Sequence, residues 1–136
     1  IRLLLEHGVM VIAGGGGGIP VVRQDGRLRG VEAVIDKDRS SALLGEAIQA
    51  RRMWIVTGVP CAYRNFGRAD QQPIGRISTR AAKQLLAEGH FALGSMHPKI
   101  EAAIGFAQRP GTQAIICNPA NLQGALGGED GTIIED

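Results

Sequence analysis

The 136-residue sequence has few aromatic residues (4%), only two cysteines, a small net charge and no long apolar run. The net charge of +2 comes from scattered basic residues, which argues against a nucleic-acid-binding surface. Cys61 and Cys117 lack the spacing of a metal site, so we expect buried thiols in a reducing cytoplasm. No apolar run could span a membrane and no signal peptide is visible, so we expect no membrane partner.

Glycine is abundant, at 20 residues, and with the low aromatic content it suits an α/β nucleotide-binding protein with many tight turns. The length fits one compact domain or one large piece of a domain. The chain opens without Met, in residues that resemble the end of an amphipathic helix. From this opening we expect the C-terminal part of a longer chain.

Short apolar runs alternate with helical periodicity, which predicts β-α units and a mostly parallel sheet. Buried strands are predicted at residues 9–13, 53–57 and 112–117, with a last strand at 132–134. A hairpin is predicted at residues 20–22 and 28–35 around Asp25-Gly26. Helices are predicted at residues 38–50, 78–88 with Ser78 as N-cap, 98–108 and 121–126. In the first of these, Leu44, Ala47 and Ile48 share an apolar face, and in the third the i, i+3, i+4, i+7 spacing predicts a buried stripe of Ile100, Ala103, Ile104 and Ala107.

Five consecutive glycines, residues 14–18, follow the first predicted strand. Without a Cβ, glycine lets backbone amides crowd around an anion, so the run can form a phosphate-binding loop. A flexible turn is the alternative interpretation. No Gly-Lys-Ser/Thr follows and the spacing is not that of a dinucleotide-binding fingerprint, which excludes the two commonest glycine-rich phosphate loops.

Three charged residues, Asp36, Lys37 and Asp38, follow a predicted strand. They fit a solvated first helical turn, or a site in which Lys37 reaches a nucleotide phosphate and Asp38 orients lysines around it. Lys99, near the start of another predicted helix, opposes the helix dipole, and a bound anion would offset that cost. Phosphoryl transfer requires this kind of positioning and positive charge.

These motifs resemble the carbamate kinases of the amino-acid kinase family. The resemblance is carried by Glu32-Ala-Val-Ile-Asp-Lys-Asp38, by the glycine run with Ile19-Pro20, and by residues 89–103, which reproduce Gly-His-Phe-x-x-Gly-Ser-Met-x-Pro-Lys-Ile-Glu-Ala-Ala. It extends nearly end to end. It implies a three-layer αβα sandwich with a mainly parallel sheet, present as a partial domain. Residues 1–136 would be the C-terminal nucleotide-binding part of an amino-acid kinase domain.

The same resemblance implies the site residues. Lys37 and Lys99 would stabilise phosphates, and Asp38 would organise the lysines. The phosphate and substrate loop would consist of Gly15, Gly16, Gly17 and Gly18. The nucleotide would be bordered by Thr57, Gly58, Tyr63, Gly94, Ser95 and Met96.

The implied reaction is reversible phosphoryl transfer between ATP and carbamate, giving ADP and carbamoyl phosphate, within arginine metabolism. Mg²⁺ would accompany ATP or ADP, without a dedicated protein metal site. The full-length protein would be a homodimer. The three histidines are not spaced as metal ligands, and His90 is expected to cap or pack.

The sequence also departs from the carbamate kinase pattern. Pro60 stands where those enzymes carry an acid, and the strand near residue 116 continues as Cys-Asn-Pro-Ala. Their earlier half, with an N-terminal Gly-Gly-Asn-type loop, has no match here, so we expect the isolated chain to be incomplete as a catalyst. Two alternatives stay open: a non-catalytic carbamate-kinase-like paralogue or fragment that binds nucleotide, and another acyl-phosphate-forming amino-acid kinase.

Overall fold

The computed structural model describes residues 1–136 as five α-helices, eight strands and one short 3₁₀ turn. The helices are α1 (Arg2–Glu6), α2 (Lys37–Ala47), α3 (Thr79–Ala87), α4 (Met96–Ala107) and α5 (Leu122–Gly127), the last preceded by the 3₁₀ turn Pro119–Asn121. The strands are β1 (Val21–Gln24), β2 (Arg27–Gly30), β3 (Arg52–Val56), β4 (Tyr63–Arg64), β5 (Gln72–Pro73), β6 (Arg76–Ser78), β7 (Gln113–Cys117) and β8 (Thr132–Glu135). None of the helices has the length and apolar character needed to cross a membrane.

A four-stranded sheet with the order β3-β7-β8-β6 forms the centre of the fold. The β3–β7 and β6–β8 pairs are parallel, whereas β7 and β8 are antiparallel. The sheet is therefore mainly parallel, as predicted. The two remaining pairs, β1–β2 and β4–β5, are small antiparallel ribbons.

Side chains that alternate along the strands divide the core between the two faces of this sheet. On one face, Ile116 joins a cluster of 17 buried residues drawn largely from α2, α3, α4 and the strands. On the other face, Ile115 and Cys117 pack with Ala125 of α5 and with the half-buried Trp54. Helices on both faces of the sheet produce three layers, which confirms the predicted αβα class.

The predicted caps and apolar stripes account for the main helices. Ser78 Oγ accepts a hydrogen bond from Ala81 N at 3.2 Å, as expected of an N-cap. The stripe of α4, predicted from i, i+3, i+4, i+7 spacing, is buried throughout: Ile100, Ala103, Ile104 and Ala107. In α2 the buried positions are Asp38, Ala42 and Gly45, whereas Ala47, predicted to face inward, is exposed.

The predicted buried strand at residues 9–13 is wrong. These residues adopt no regular structure, and Met10 and Ile12 are 92% and 99% exposed. A continuous apolar run forms a strand when it has sheet neighbours and a layer on each face, and none of the eight strands pairs with this segment. The hairpin is confirmed, although its second strand ends at Gly30. The short strands β4, β5 and β6 were not predicted.

Candidate functional site

Two packed helices bring the predicted catalytic residues Asp38 and Lys99 into contact. Asp38 lies in the first turn of α2 and Lys99 in the first turn of α4. Lys99 Nζ donates to Asp38 Oδ2 at 2.9 Å, and the two side chains are only 13% and 11% exposed. Breaking up such a partly buried ion pair leaves an uncompensated charge, so the contact holds both groups in place.

Lys37, the third predicted catalytic residue, lies beside this pair and reaches into solvent. Its Nζ is 3.5 Å from Asp38 Oδ2, and its side chain is 59% exposed. One carboxylate oxygen therefore faces two ammonium groups. The cluster of two lysines and one aspartate carries a net positive charge and is open toward solvent on the Lys37 side.

Asp36 fixes the start of α2. Its Oδ1 accepts hydrogen bonds from Asp38 N and Arg39 N, both at 2.9 Å, which is the geometry of a helix N-cap. These bonds, with that from Arg39 N the strongest, lower the pKa of Asp36 below its ordinary value. Asp36 is thus a structural cap, and the two charged residues after it take the positions that face the site.

The glycine run packs against the residues at the start of α2. A Cβ on Gly17 would lie 2.2 Å from Ile35 O and 3.4 Å from Lys37 N, so only glycine fits this approach. Gly17 is buried and has a φ of +138°. Gly15, Gly16 and Gly18 have open space at their Cβ positions. The loop is therefore seated next to the lysine–aspartate cluster through Gly17.

A cavity of about 200 Å³ opens beside Lys99. Of the predicted nucleotide-binding residues, Thr57, Gly58, Tyr63, Ser95 and Met96 line it, and Gly94 does not. Lys99 lines the same cavity, so one side chain joins the cavity to Asp38.

The cavity is also lined by residues for which no binding role was predicted: Val59, Phe66, His90, Phe91 and Ala92. His90 and Phe91 lie within residues 89–103, which carried the resemblance, but the motif alone did not show that they line one cavity with Phe66. Pro60 is exposed and is not part of the lining. The substitution of an acid by proline at this position therefore leaves the cavity wall itself intact.

Two further features describe the chemistry of the site. The neighbouring Cys61 thiol, together with burial, raises the pKa of the Tyr63 hydroxyl above its ordinary value. No group of three or more His, Cys, Asp or Glu side chains is arranged to hold a metal ion.

Known proteins resemble this chain over nearly its whole length. The family model described as the amino acid kinase family matches residues 1–118. A carbamate kinase of Thermoplasma volcanium is 47% identical over 134 residues, and a carbamate kinase-like protein of Escherichia coli is 44% identical over 135 residues. Each alignment covers 98% of this chain and 44% of the relative, so the chain spans less than half the length of these relatives.

Among solved structures, a carbamate kinase from Giardia lamblia bound to AMP-PNP superposes with a TM-score of 0.93 at 38% identity, covering 99% of this chain and 48% of that one. The family model covers most of the sequence, and the sheet and helices superpose on a member's structure. The chain belongs to the amino acid kinase family.

Proposed function

We propose that the protein containing this chain is a carbamate kinase and that residues 1–136 form the nucleotide-binding part of its amino-acid kinase domain. The observation that carries the proposal is the position of Lys99, which lines the cavity and also donates to Asp38. A nucleotide with its base in this cavity would extend its phosphates toward Lys99 and Lys37. The similarity to a carbamate kinase that was solved with AMP-PNP bound supports nucleotide binding by this part of the protein.

Each of the charged residues has a role in the proposed transfer. In the direction that forms ATP, a β-phosphate oxygen of ADP attacks the phosphorus of carbamoyl phosphate, and the bond from phosphorus to the carbamate oxygen breaks. Lys37 and Lys99 would stabilise the charge on the transferring group, where a charge pair at about 4 Å is worth about 4 kcal/mol at an effective dielectric near 20. Asp38 would hold the two ammonium groups in position.

The glycine loop is the remaining part of the site. Because Gly17 lies against Ile35 and Lys37, the loop would present backbone amides beside the transferred group. Mg²⁺, bound with the nucleotide, would neutralise phosphate charge. Because the chain spans 44% of its relatives' length, we assign to it the nucleotide side of the site only. By the same relationship we propose a cytoplasmic homodimer for the full-length protein.

The test is ATP formation from ADP and carbamoyl phosphate by the complete gene product. Lys99→Ala should lower kcat by about 10²-fold, the scale for removal of one charge-stabilising donor. Lys83→Ala, which removes the same type of side chain from an exposed position on α3, should leave kcat unchanged.

The same assay separates the alternatives. A wild-type protein that binds ADP without turnover of carbamoyl phosphate would show a nucleotide-binding paralogue. Turnover of a different acyl phosphate, such as acetyl phosphate, in preference to carbamoyl phosphate would show another acyl-phosphate-forming kinase. Equal rates for Lys99→Ala and wild type would refute the role given to Lys99.

A further inference from the structure

His90 links the end of α3 to the loop at residues 63–71. This loop contributes two walls of the cavity. The ring of His90 is 21% exposed and lines the cavity. Nδ1 lies 2.8 Å from Asn65 Oδ1, and Nε2 lies 3.1 Å from Glu88 Oε2. Because an amide oxygen only accepts hydrogen bonds, Nδ1 is the donor to Asn65. A neutral ring donates from one nitrogen only, so the contact that holds the loop is the one with Asn65, and Nε2 donates to Glu88 at the α3 terminus only when the ring is protonated.

Asn65 is the residue through which this contact positions the loop. It has a φ of +51°, in the left-handed region that asparagine tolerates better than most residues. Its Nδ2 donates to Asp70 Oδ2 at 2.6 Å, which closes the loop on itself. The bond from His90 is the one side-chain hydrogen bond between residues 63–71 and the rest of the chain. Without the bond from His90, Asn65 would still be bonded to Asp70 within the loop but would lose its hydrogen bond to the rest of the chain.

The aromatic residues on both sides of Asn65 are walls of the cavity. Tyr63 and Phe66 both line it, and their ring centroids are 5.7 Å apart with the planes tilted by 48°. Phe66 is 61% exposed, so contacts with the core do little to hold it. The positions of these two rings thus depend on the backbone between them, which His90 fixes at Asn65.

We propose that His90 is a positioning residue that, through Asn65, holds Tyr63 and Phe66 as the walls that receive the nucleotide base. This inference rests on the proposed function, since it takes the cavity as the base-binding site. The hydrogen-bond and ion-pair partners of His90 are Asn65 and Glu88, so it makes no such bond to the lysine–aspartate cluster. Its loss should weaken nucleotide binding and leave the chemical step nearly unchanged.

The test uses the complete gene product and ADP as the probe. His90→Ala should raise the dissociation constant and the KM for ADP about tenfold, the scale of one net hydrogen bond, with kcat within about threefold of wild type. His90→Gln keeps a side-chain donor and should recover most of the affinity. The double variant with Asn65→Ala should bind ADP no more weakly than His90→Ala, because the two residues act through one contact.

A second readout does not depend on catalysis. The loop contains two trypsin sites, Arg64 and Arg68, and releasing it should speed cleavage there. His90→Ala should be cut faster than wild type at these sites, and ADP should slow the cutting. His7→Ala serves as the control, because His7 is exposed and bonds only Leu3 O of its own helix.

The outcomes distinguish this inference from the proposed function. A wild-type protein with neither ADP binding nor turnover would refute the proposed function and the role of His90 in nucleotide binding together. A wild-type protein that binds ADP, with unchanged affinity and unchanged cleavage in His90→Ala, would refute the inference alone. A fall in kcat without a change in ADP affinity, or no recovery in His90→Gln, would also overturn it.

Discussion

Replacing Gly17 with alanine should displace the glycine loop from the phosphate site. The added methyl group would lie 2.2 Å from Ile35 O, while Cβ atoms essentially never come closer than 3.0 Å to such an atom. The clash is with backbone, so no side-chain rotation can relieve it. The loop and residues 35–37 must move apart by about 0.8 Å or more, and Lys37 belongs to the segment that would be displaced, with its N 3.4 Å from the same methyl group.

The cost of this movement has two parts. A non-glycine residue at a φ of +138° is strained, by about 1–3 kcal/mol. A misplacement near 1 Å in a site that works by positioning can cost about 10²-fold in rate. We therefore expect kcat/KM to fall about 10²-fold, equivalent to about 2.7 kcal/mol of transition-state stabilisation.

The assay is ATP formation by the complete gene product, with the unfolding midpoint measured alongside. Gly16→Ala adds the same methyl group where nothing lies within 4 Å, so it should lose clearly less activity than Gly17→Ala. Gly30→Ala, in the β1–β2 ribbon, also has open space and should match wild type. The steric argument is refuted if Gly16→Ala and Gly17→Ala lose activity equally, because the loop would then require glycine for a reason other than the contact with Ile35.

Three further predictions concern single contacts. Asp38→Asn should lower kcat and destabilise the fold by about 3 kcal/mol, because Lys99 stays partly buried without its counter-charge. Denaturant unfolding measures this loss against the exposed control Asp25→Asn, and equal stabilities of the two variants would contradict it. A hydrogen bond from Arg76 lowers the pKa of Glu135 below its ordinary 4.5. The contribution of Glu135 to the unfolding free energy is therefore complete above pH 4.5 and is lost as the pH falls through the lowered pKa. The unfolding free energy of Glu135→Gln should lack this acid-dependent loss, and a pH profile identical to that of wild type would refute the prediction. Thr132→Val should cost about 1–3 kcal/mol in unfolding free energy, because the buried Ala62 N loses its 2.8 Å acceptor, whereas Thr132→Ser should retain it.

The part of the fold that the sequence predicts is the part governed by local signals. The Ser78 cap, the buried stripe of α4 and the Asp25-Gly26 turn depend on residues within a few positions of one another, and the structure contains all three. The run at residues 9–13 has the same composition as a buried strand, but its state depends on neighbours distant in the chain. The composition of residues 9–13 shows that they are apolar enough to be buried. It does not show whether neighbouring strands are present to bury them.

The site was predictable to the extent that single residues carry its chemistry. Lys37, Asp38 and Lys99 stood out because charges beside predicted helix starts needed an explanation, and the structure gathers them around one carboxylate. The contribution of His90 was not predictable in this way. Its partner Asn65 is 25 residues away, and the hydrogen bond arises from the path of a loop that has no sequence periodicity.

The arrangement of charge around Asp38 favours the anionic ligand that the proposed function requires. The first turns of α2 and α4 meet there, and each helix start contributes a partial positive charge. Lys37 and Lys99 add two full charges, and Asp38 neutralises one of them. Structural stability alone would be served by one lysine paired with Asp38, with no second ammonium beside it. The excess positive charge costs stability, and bound phosphates would offset that cost, so the cluster suits the proposed phosphate-bearing ligand better than it suits holding two helices together.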